Sequence, residues 1–156
     1  MDIRLAQASD LPELANIYHQ TVMAIAPQKY TPQQVEAWAS HAADADQFRH
    51  FILAVTTYVA VDETGILGFA GISPDGYVAS VYVRGDRIHQ GIGSTLMEVI
   101  QDHATRQGIE RLHAAASEFS LGLFRKFGFQ VYATEIAERQ GVPFERYLVE
   151  RLLSLH

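Results

Sequence analysis

Residues 77–104 read YVASVYVRGDRIHQGIGSTLMEVIQDHA, and this stretch organises the chain. Its first part, residues 77–83, is apolar or β-branched at nearly every position, which predicts a strand buried on both faces in the middle of a sheet. Its last part alternates apolar and polar residues at helical spacing, which predicts an amphipathic helix. The inward positions of this helix are Leu96, Val99, Ile100 and Ala104.

The segment between strand and helix, residues 87–94, reads RIHQGIGS. Glycine lets the backbone turn sharply and approach a ligand, so several N–H groups can point at one anion beside the positive end of the helix dipole. The segment lacks the third glycine of a dinucleotide fingerprint and the Gly-Lys-Ser/Thr ending of a P-loop. It predicts a phosphate cradle of another kind, although glycines also open helices for steric reasons alone.

Composition excludes several classes of protein. The chain has 156 residues, 48% of them hydrophobic, and we expect one domain spanning residues 1–156. A formal charge of −6 without a cluster of Lys or Arg argues against nucleic-acid and membrane partners. Any polyphosphate ligand would then be held mainly by backbone amides. The absence of cysteine excludes disulfides, thiolate metal sites and a cysteine nucleophile.

The sequence carries no recognisable targeting signal or metal-binding motif. The first residues, MDIRLAQASDL, lack the basic start and apolar core of a signal peptide, and no apolar run reaches membrane length. We therefore expect a cytoplasmic protein. The seven histidines include no His-x-His or HExxH spacing, so we expect no metal.

The sequence before the central stretch predicts a strand, three helices and two antiparallel strands. Ser9 or Asp10 caps a first helix from about Leu11, and Thr31 with Pro32 starts a second. The strands are expected at residues 3–6, 57–61 and 66–72, and the third helix lies around residues 48–55.

The sequence after the central helix predicts a strand, a helix and a hairpin. The strand, residues 111–115, should run parallel to residues 77–83. Ser117 is a candidate cap for the helix, which extends to Phe127. The hairpin, built from residues 130–137 and 144–152, is expected to turn around Gly141-Val142-Pro143.

This order of elements resembles the GNAT superfamily of acetyl-CoA-dependent N-acetyltransferases over essentially the whole chain. The resemblance rests on four stretches: IRLAQASDLPELANIY, YTPQQVEAW, SVYVRGDRIHQGIGSTLMEVI and LFRKFGF. It implies a mixed α/β (α+β) fold with a mostly antiparallel central sheet, a splayed parallel strand pair and flanking helices. Dimers are common among proteins that look like this one, so a homodimer is an open expectation.

The resemblance also implies cofactor contacts. Strand backbone groups of Val81 and Val83 would bind the pantetheine arm of acetyl-CoA, and the amides of residues 89–94 would hold its pyrophosphate. Ser117 and Ser120 fall where such proteins contact the cofactor from the next helix, although a plain capping role for Ser117 is an equal alternative. The full set of expected cofactor-binding residues is Val81, Val83, His89, Gln90, Gly91, Ile92, Gly93, Ser94, Ser117, Ser120 and Phe124.

Two positions depart from the family pattern. Ile88 stands where the family usually has Gln or Arg, and Arg84, Arg87 or His89 are possible substitutes. Phe124 stands where the family commonly has a tyrosine that protonates the departing thiolate. A thiol, whose pKa is ordinarily about 8.5, leaves fairly readily near neutrality, so the expected loss of rate is small.

Candidate catalytic and acceptor-binding residues are less defined by the sequence. Tyr82 and Glu118 are candidates for proton transfer, with a core aromatic and a favourable first-turn acid as the alternative interpretations. A strand N–H near Val81 or Tyr82 would polarise the reacting carbonyl. The expected acceptor wall consists of Tyr18, His19, Tyr30 and Trp38, whose aromatic members could equally be core residues.

The sequence therefore predicts an enzyme that moves an acetyl group from acetyl-CoA to the primary amine of a small molecule or peptide. Attack should be direct, in a ternary complex, because no cysteine exists to hold the acetyl group. A catalytically weak acyl-CoA-binding sensor or partner module is one alternative. A nucleotide or phosphate binder unrelated to acyl transfer is another.

Overall fold

The computed structural model describes residues 1–153. Strands and helices follow one another as β1 (Asp2–Leu5), α1 (Leu11–Ile25), α2 (Pro32–Ala39), α3 (Ala45–Leu53), β2 (Thr56–Asp62), β3 (Gly65–Ile72), β4 (Val78–Val83), α4 (Ile92–Arg106), β5 (Arg111–Ala116), α5 (Leu121–Lys126), β6 (Gln130–Arg139) and β7 (Val142–Leu152). The predicted mixed α/β class is confirmed. Within this part of the chain, no helix combines the length and the apolar character needed to cross a membrane.

The strands form two sheets that meet at one end. One sheet has the order β1-β2-β3-β4 and the other the order β5-β7-β6, with antiparallel pairing inside each. A parallel bridge joins Tyr77 to His113, and the His113 N–H donates to the Gly76 carbonyl at 3.0 Å. Beyond this bridge β4 and β5 carry no ladder between them, so the parallel strand pair is splayed as expected.

The position of β4 differs from the expectation. Residues 78–83 form a strand, but β4 lies at the edge of its sheet, paired with β3 alone. The strand that is buried on both faces is β3, whose residues after Gly65 are all buried. The prediction of a central, fully buried β4 is wrong because the strand lines a cavity along one edge, and only Val78 and Ser80 of its six residues are buried.

Helices cover both faces of the four-stranded sheet. One buried cluster joins α4 to the sheet and to β5, with Leu96, Met97 and Ile100 completely buried. A second cluster on the opposite face joins α1 and α3 to the sheet. The inner face of α1 follows helical spacing, because Leu14, Ile17, Tyr18, Thr21 and Val22 are all buried.

The two predicted helix caps have different outcomes. Thr31 caps α2 as expected, accepting the Gln34 N–H at 3.1 Å. Asp10 precedes α1, but its carboxylate caps nothing there. It accepts two hydrogen bonds from Arg4 at 2.8 and 2.9 Å, which hold its pKa below the usual range. This pair joins β1 to the start of α1.

The C-terminal elements shift slightly from their predicted bounds. The hairpin turns at Gln140 and Gly141, both with positive φ, so Val142 and Pro143 belong to β7. Ser117 accepts the N–H groups of Phe119 and Ser120 at 3.2 Å each. It therefore caps the turn before α5 rather than the helix itself.

Gly76 allows the two sheets to meet, and a side chain there should separate them. Its φ is 91°, and a Cβ would lie 2.1 Å from the Arg111 carbonyl oxygen. Gly108 has a similar φ of 70° with open space around it. Urea unfolding should give a loss of about 3 kcal/mol or more for Gly76→Ala and about 1 kcal/mol for Gly108→Ala, since only the first adds a clash to the backbone strain. Equal losses would mean that the sheet junction tolerates a side chain.

Candidate active site

A cavity of about 290 Å³ opens where β4 and β5 diverge. Its wall contains the exposed edge of β4, the start of α5, the inner faces of α1 and α2, and the β6–β7 hairpin. Several residues that the sequence predicts for a site lie on this wall, namely Tyr18, Tyr30, Trp38, Val81, Tyr82, Val83, Ser117, Ser120 and Phe124. Residues from widely separated segments thus converge on one space.

The edge of β4 presents backbone groups to this space. The Arg84 N–H donates to the Leu67 carbonyl of β3 at 2.7 Å, and strand alternation turns the polar groups of Tyr82 the same way. Those of Val81 and Val83 therefore face away from β3. The Val83 carbonyl accordingly accepts the Thr21 hydroxyl of α1 at 3.0 Å. Of the two N–H groups predicted to polarise a carbonyl, only that of Val81 faces the cavity.

The start of α4 is the segment that the sequence predicts as an anion site. Gly91 occupies the cap position with a φ of 81°, and no side chain among residues 1–153 caps the first-turn N–H groups. A Cβ on Gly93 would contact Leu123 at 3.4 Å and Val83 at 3.6 Å, so the helix start lies close to the cavity wall. Residues 89–94 do not line the cavity itself, whereas the neighbouring Ile88 does. The uncapped N–H groups remain available to an anion at its rim.

The arginines near this loop serve the fold rather than the rim. Arg84 pairs with Asp86 at 2.6 Å and also donates to the Ile66 carbonyl at 3.2 Å. Arg87 pairs with Asp62 at 3.2 Å. The proposed substitution of these guanidinium groups for the missing family residue is therefore not supported.

Lys126 is a cation that the sequence did not indicate. It lies in the last turn of α5, and its Nζ donates to the Ser94 hydroxyl in the first turn of α4 at 2.7 Å. A positive charge and uncapped N–H groups thus share the rim. The contact spans 32 positions, so no local sequence pattern could reveal it.

Three aromatic side chains are hydrogen-bonded at the other end of the cavity. The Trp38 Nε1–H donates to the Tyr82 hydroxyl at 3.2 Å, and the Tyr18 hydroxyl donates to the Trp38 carbonyl at 3.1 Å. The rings of Tyr18 and Tyr82 lie 4.8 Å apart. Burial raises the pKa of both hydroxyls, so both keep their protons at neutral pH.

Tyr30 anchors a second aromatic group beside them. Its ring lies 5.6 Å from Trp38, and 5.9 Å from both Phe119 and Phe144. Burial raises the pKa of its hydroxyl as well. The core and wall interpretations of these aromatic residues are therefore compatible, because the same rings pack together and face the cavity.

Two predicted residues lie outside the cavity. His19 is exposed, because one step along α1 from the inward Tyr18 rotates a side chain by about 100°. Glu118 is exposed, and its carboxylate lies 3.7 Å from the Lys29 Nζ. Neither residue lines the cavity, so the placement of His19 on the acceptor wall is wrong and Glu118 has no contact with the reacting space.

The α5 side of the cavity is apolar apart from two serines. Phe124 is buried and packs edge-on against Phe129 with ring centroids 5.0 Å apart. The hydroxyls of Ser117 and Ser120 lie 3.2 Å from each other, and the Ser117 N–H donates to the Ser120 hydroxyl at 3.0 Å. Both serines thus stabilise the turn while lining the cavity.

The sequence patterns did not indicate the contribution of the β6–β7 hairpin. Ala137, Arg139, Phe144 and Arg146 line the cavity. Their alternate spacing on two paired strands places them on one face, which was a usable signal. The predicted strand ends at residue 137, which leaves Arg139 outside it, whereas β6 extends to Arg139. In the part of the chain that the structure describes, no group of three or more His, Asp or Glu side chains could hold a metal ion.

Comparison with known proteins gives consistent matches. The family model of the acetyltransferase (GNAT) domain matches residues 26–150. An L-methionine sulfoximine/L-methionine sulfone acetyltransferase of Pseudomonas paraeruginosa is 29% identical over 166 residues, covering 99% of this chain and 93% of that protein.

Solved structures share the fold. A GCN5-related N-acetyltransferase from Rhodopseudomonas palustris superimposes with a TM-score of 0.93 at 24% identity, covering 97% of this chain and 95% of that one. The PaiA N-acetyltransferase of Thermoplasma acidophilum, in complex with coenzyme A, gives a TM-score of 0.79 at 16% identity, covering 98% of this chain and 100% of that one.

Proposed function

This chain belongs to the acetyltransferase (GNAT) domain family, as its sequence resemblance indicated, and we propose that it acetylates the primary amine of a small molecule or peptide with acetyl-CoA. The observation that supports this most is the open edge of β4 beside the uncapped start of α4. The open edge of β4 can pair with the amides of an extended ligand, and the start of α4 can bind an anion. Together they suit the pantetheine arm of acetyl-CoA and the pyrophosphate at its end. The name of the relative from Pseudomonas paraeruginosa favours a small acceptor.

The residues present fit acetyl-CoA. Val81 and Val83 direct backbone groups into the gap, where the amides of a pantetheine arm can pair with them. The N–H groups at residues 89–94 and the Lys126 ammonium suit the pyrophosphate. Acetyl-CoA supplies an acetyl thioester, in which the C–S bond breaks as the amine nitrogen bonds to the carbonyl carbon. Attack is direct, because the chain has no cysteine to hold the acetyl group.

In the proposed reaction, the side chains of the cavity mainly have to move protons. An alkyl ammonium with a pKa of about 10.4 must lose one proton before attack, and the amide nitrogen loses another that ends on the thiolate. The Tyr82 hydroxyl accepts from Trp38 and keeps its own proton. It is therefore suited to relay a proton between the amine and water, rather than to act as a standing base.

Acetyl-CoA and coenzyme A should both stabilise the protein, whereas ATP and NAD should not. A ligand at about a hundred times its Kd adds roughly 2.7 kcal/mol to the free energy of unfolding, which thermal unfolding detects. Trp38 is the single tryptophan and lines the cavity, so its fluorescence reports binding directly. Stabilisation by ATP or NAD alone would contradict the proposal and favour a nucleotide binder.

The two ends of α4 offer a matched pair of variants for the anion site. Gly91 and Gly108 have φ values of 81° and 70°, and neither has an atom within 4 Å of an added Cβ. Each change to Ala should cost about 1 kcal/mol of stability. Only Gly91→Ala should also raise the Kd for acetyl-CoA, by about tenfold or more, because it redirects N–H groups that face the pyrophosphate. An unchanged Kd would exclude this loop from cofactor binding.

Removing the Tyr82 hydroxyl should slow turnover. Tyr82→Phe should lower kcat by roughly 100-fold with little effect on the KM for acetyl-CoA, because the proton relay is lost. Tyr58→Phe is the control, since it also removes a bonded hydroxyl, 3.0 Å from His103 Nδ1, but outside the cavity. Thiol release in the presence of amines measures both rates. Full activity in Tyr82→Phe would assign proton removal to water alone.

Restoring the family tyrosine should help only slightly. Phe124→Tyr should raise kcat by less than about tenfold, because a thiolate leaves readily without a donated proton. Phe127→Tyr, at the end of the same helix and off the cavity wall, should leave kcat unchanged. A rise of several hundredfold would show that Phe124 marks lost chemistry and would favour the acyl-CoA-binding module.

A further inference from the structure

Arg139 lies at the acceptor end of the cavity. It is the last residue of β6, and alternation along this strand puts it on the same face as Glu135 and Ala137. Ala137 lies opposite Phe144 in the hairpin, and both line the cavity with Arg139. The hairpin therefore brings this guanidinium group to a wall that is mainly aromatic and aliphatic.

Among residues 1–153 this guanidinium group has no partner. Arg146, the other cation on the wall, pairs with Glu135 across the hairpin. Arg139 makes no hydrogen bond or ion pair with any residue between 1 and 153. Glu145 lines the cavity too, but it is exposed, and its side chain points to the opposite face of β7 from Phe144.

The surroundings of Arg139 leave its charge uncompensated. Its field contributes to lowering the pKa of His41, whose main cause is burial, so this imidazole stays neutral at pH 7. Tyr18 and Tyr82 keep their protons, as described above. No negative side chain therefore balances the half-buried guanidinium at this end of the described cavity, and a cation in such a place favours an anionic ligand.

We propose that Arg139 binds the carboxylate of the acceptor, so that the acceptor is a free amino acid with an apolar side chain. The inference rests on the proposed acetyl transfer and names its substrate class. A simple alkylamine or a polyamine enters as a cation and is repelled by Arg139. An amino acid brings a carboxylate to pair with it, and the aromatic wall of Tyr18, Trp38 and Phe51 accommodates the side chain.

Two matched sets of acceptors test this assignment. The first is L-methionine, L-methioninamide and 3-(methylthio)propylamine, and the second is L-phenylalanine, L-phenylalaninamide and phenethylamine. Thiol release from acetyl-CoA gives kcat/KM for each. The wild-type protein should prefer the acid of each set by roughly 10- to 100-fold, the value of one charge-assisted pair.

Charge variants identify the residue responsible. Arg139→Gln should lower kcat/KM for the acids by roughly 10- to 100-fold through KM, with Arg139→Lys intermediate. It should not lower kcat/KM for the cationic amides, which Arg139 repels. Arg49→Gln removes an equal charge from an exposed position on α3 and should change neither. Losses of the same size on acids and amides would overturn the proposal, because they would indicate a structural role.

The outcomes separate this proposal from the acetyl transfer on which it rests. Release with the amides and amines at rates equal to or above those of the acids overturns the carboxylate assignment and leaves acetyl transfer intact. Release with none of the six acceptors, from a protein that binds acetyl-CoA, overturns the amino acid assignment and restricts acetyl transfer to other amines, such as those of peptides.

Discussion

The structure depends on a strand that is paired on one side only. β4 takes its ladder from β3, and at its other edge it meets β5 through the single bridge at Tyr77. Because Gly76 has no side chain, the two sheets approach closely there and diverge everywhere else. The divergence leaves backbone groups of Val81 and Val83 unused by the sheet. The Val83 carbonyl accepts the Thr21 hydroxyl, but the groups of Val81 need a ligand or water to pair with. The binding site is thus a consequence of incomplete sheet closure.

Charge is divided unevenly along the resulting cavity. At the rim, Arg84 and Arg87 are paired with aspartates, so the proposed anion site consists of N–H groups and Lys126. A chain of net charge −6 without a basic patch would have to attract phosphate mainly through such backbone dipoles. At the far end the wall is aromatic, and Arg139 is the cation whose charge the described residues do not compensate. Both proposed anion sites, the start of α4 and Arg139, therefore lie in places where the fold leaves positive charge or N–H groups without a protein partner among residues 1–153.

Local patterns in the sequence predicted the elements well and their relations less well. The helix cap at Thr31, the inner face of α1 and the glycine-led α4 follow from neighbouring residues, and the structure agrees. Whether β4 is central or at an edge depends on strand order, and apolar residues suit a cavity wall and a core alike. Asp10 pairs with Arg4 instead of capping a helix, since a nearby guanidinium competes for its carboxylate. The positions of Lys126 and Arg139 depend on contacts between segments that are distant in the chain. The spacing of residues in the sequence does not predict such contacts.

The aromatic wall and the presence of Phe124 in place of the family tyrosine are both consistent with a reaction in which removing a proton from the amine is harder than protonating the thiolate. A thiolate needs little help to leave, so Phe124 can serve packing against Phe129 at small cost to the reaction. An ammonium needs much more help, because at neutral pH fewer than about one in a thousand is deprotonated. The half-buried Trp38 and Tyr82 are hydrogen-bonded to each other on the cavity wall, which is where we propose that the amine loses that proton. A cation at the same end lowers the pKa of a bound ammonium until a carboxylate neutralises it, so an amino acid that pairs with Arg139 gains in binding and relies more on the relay. In the proposed mechanism, specificity and proton removal are therefore opposed at this site, and the Tyr82 hydroxyl would have to serve both.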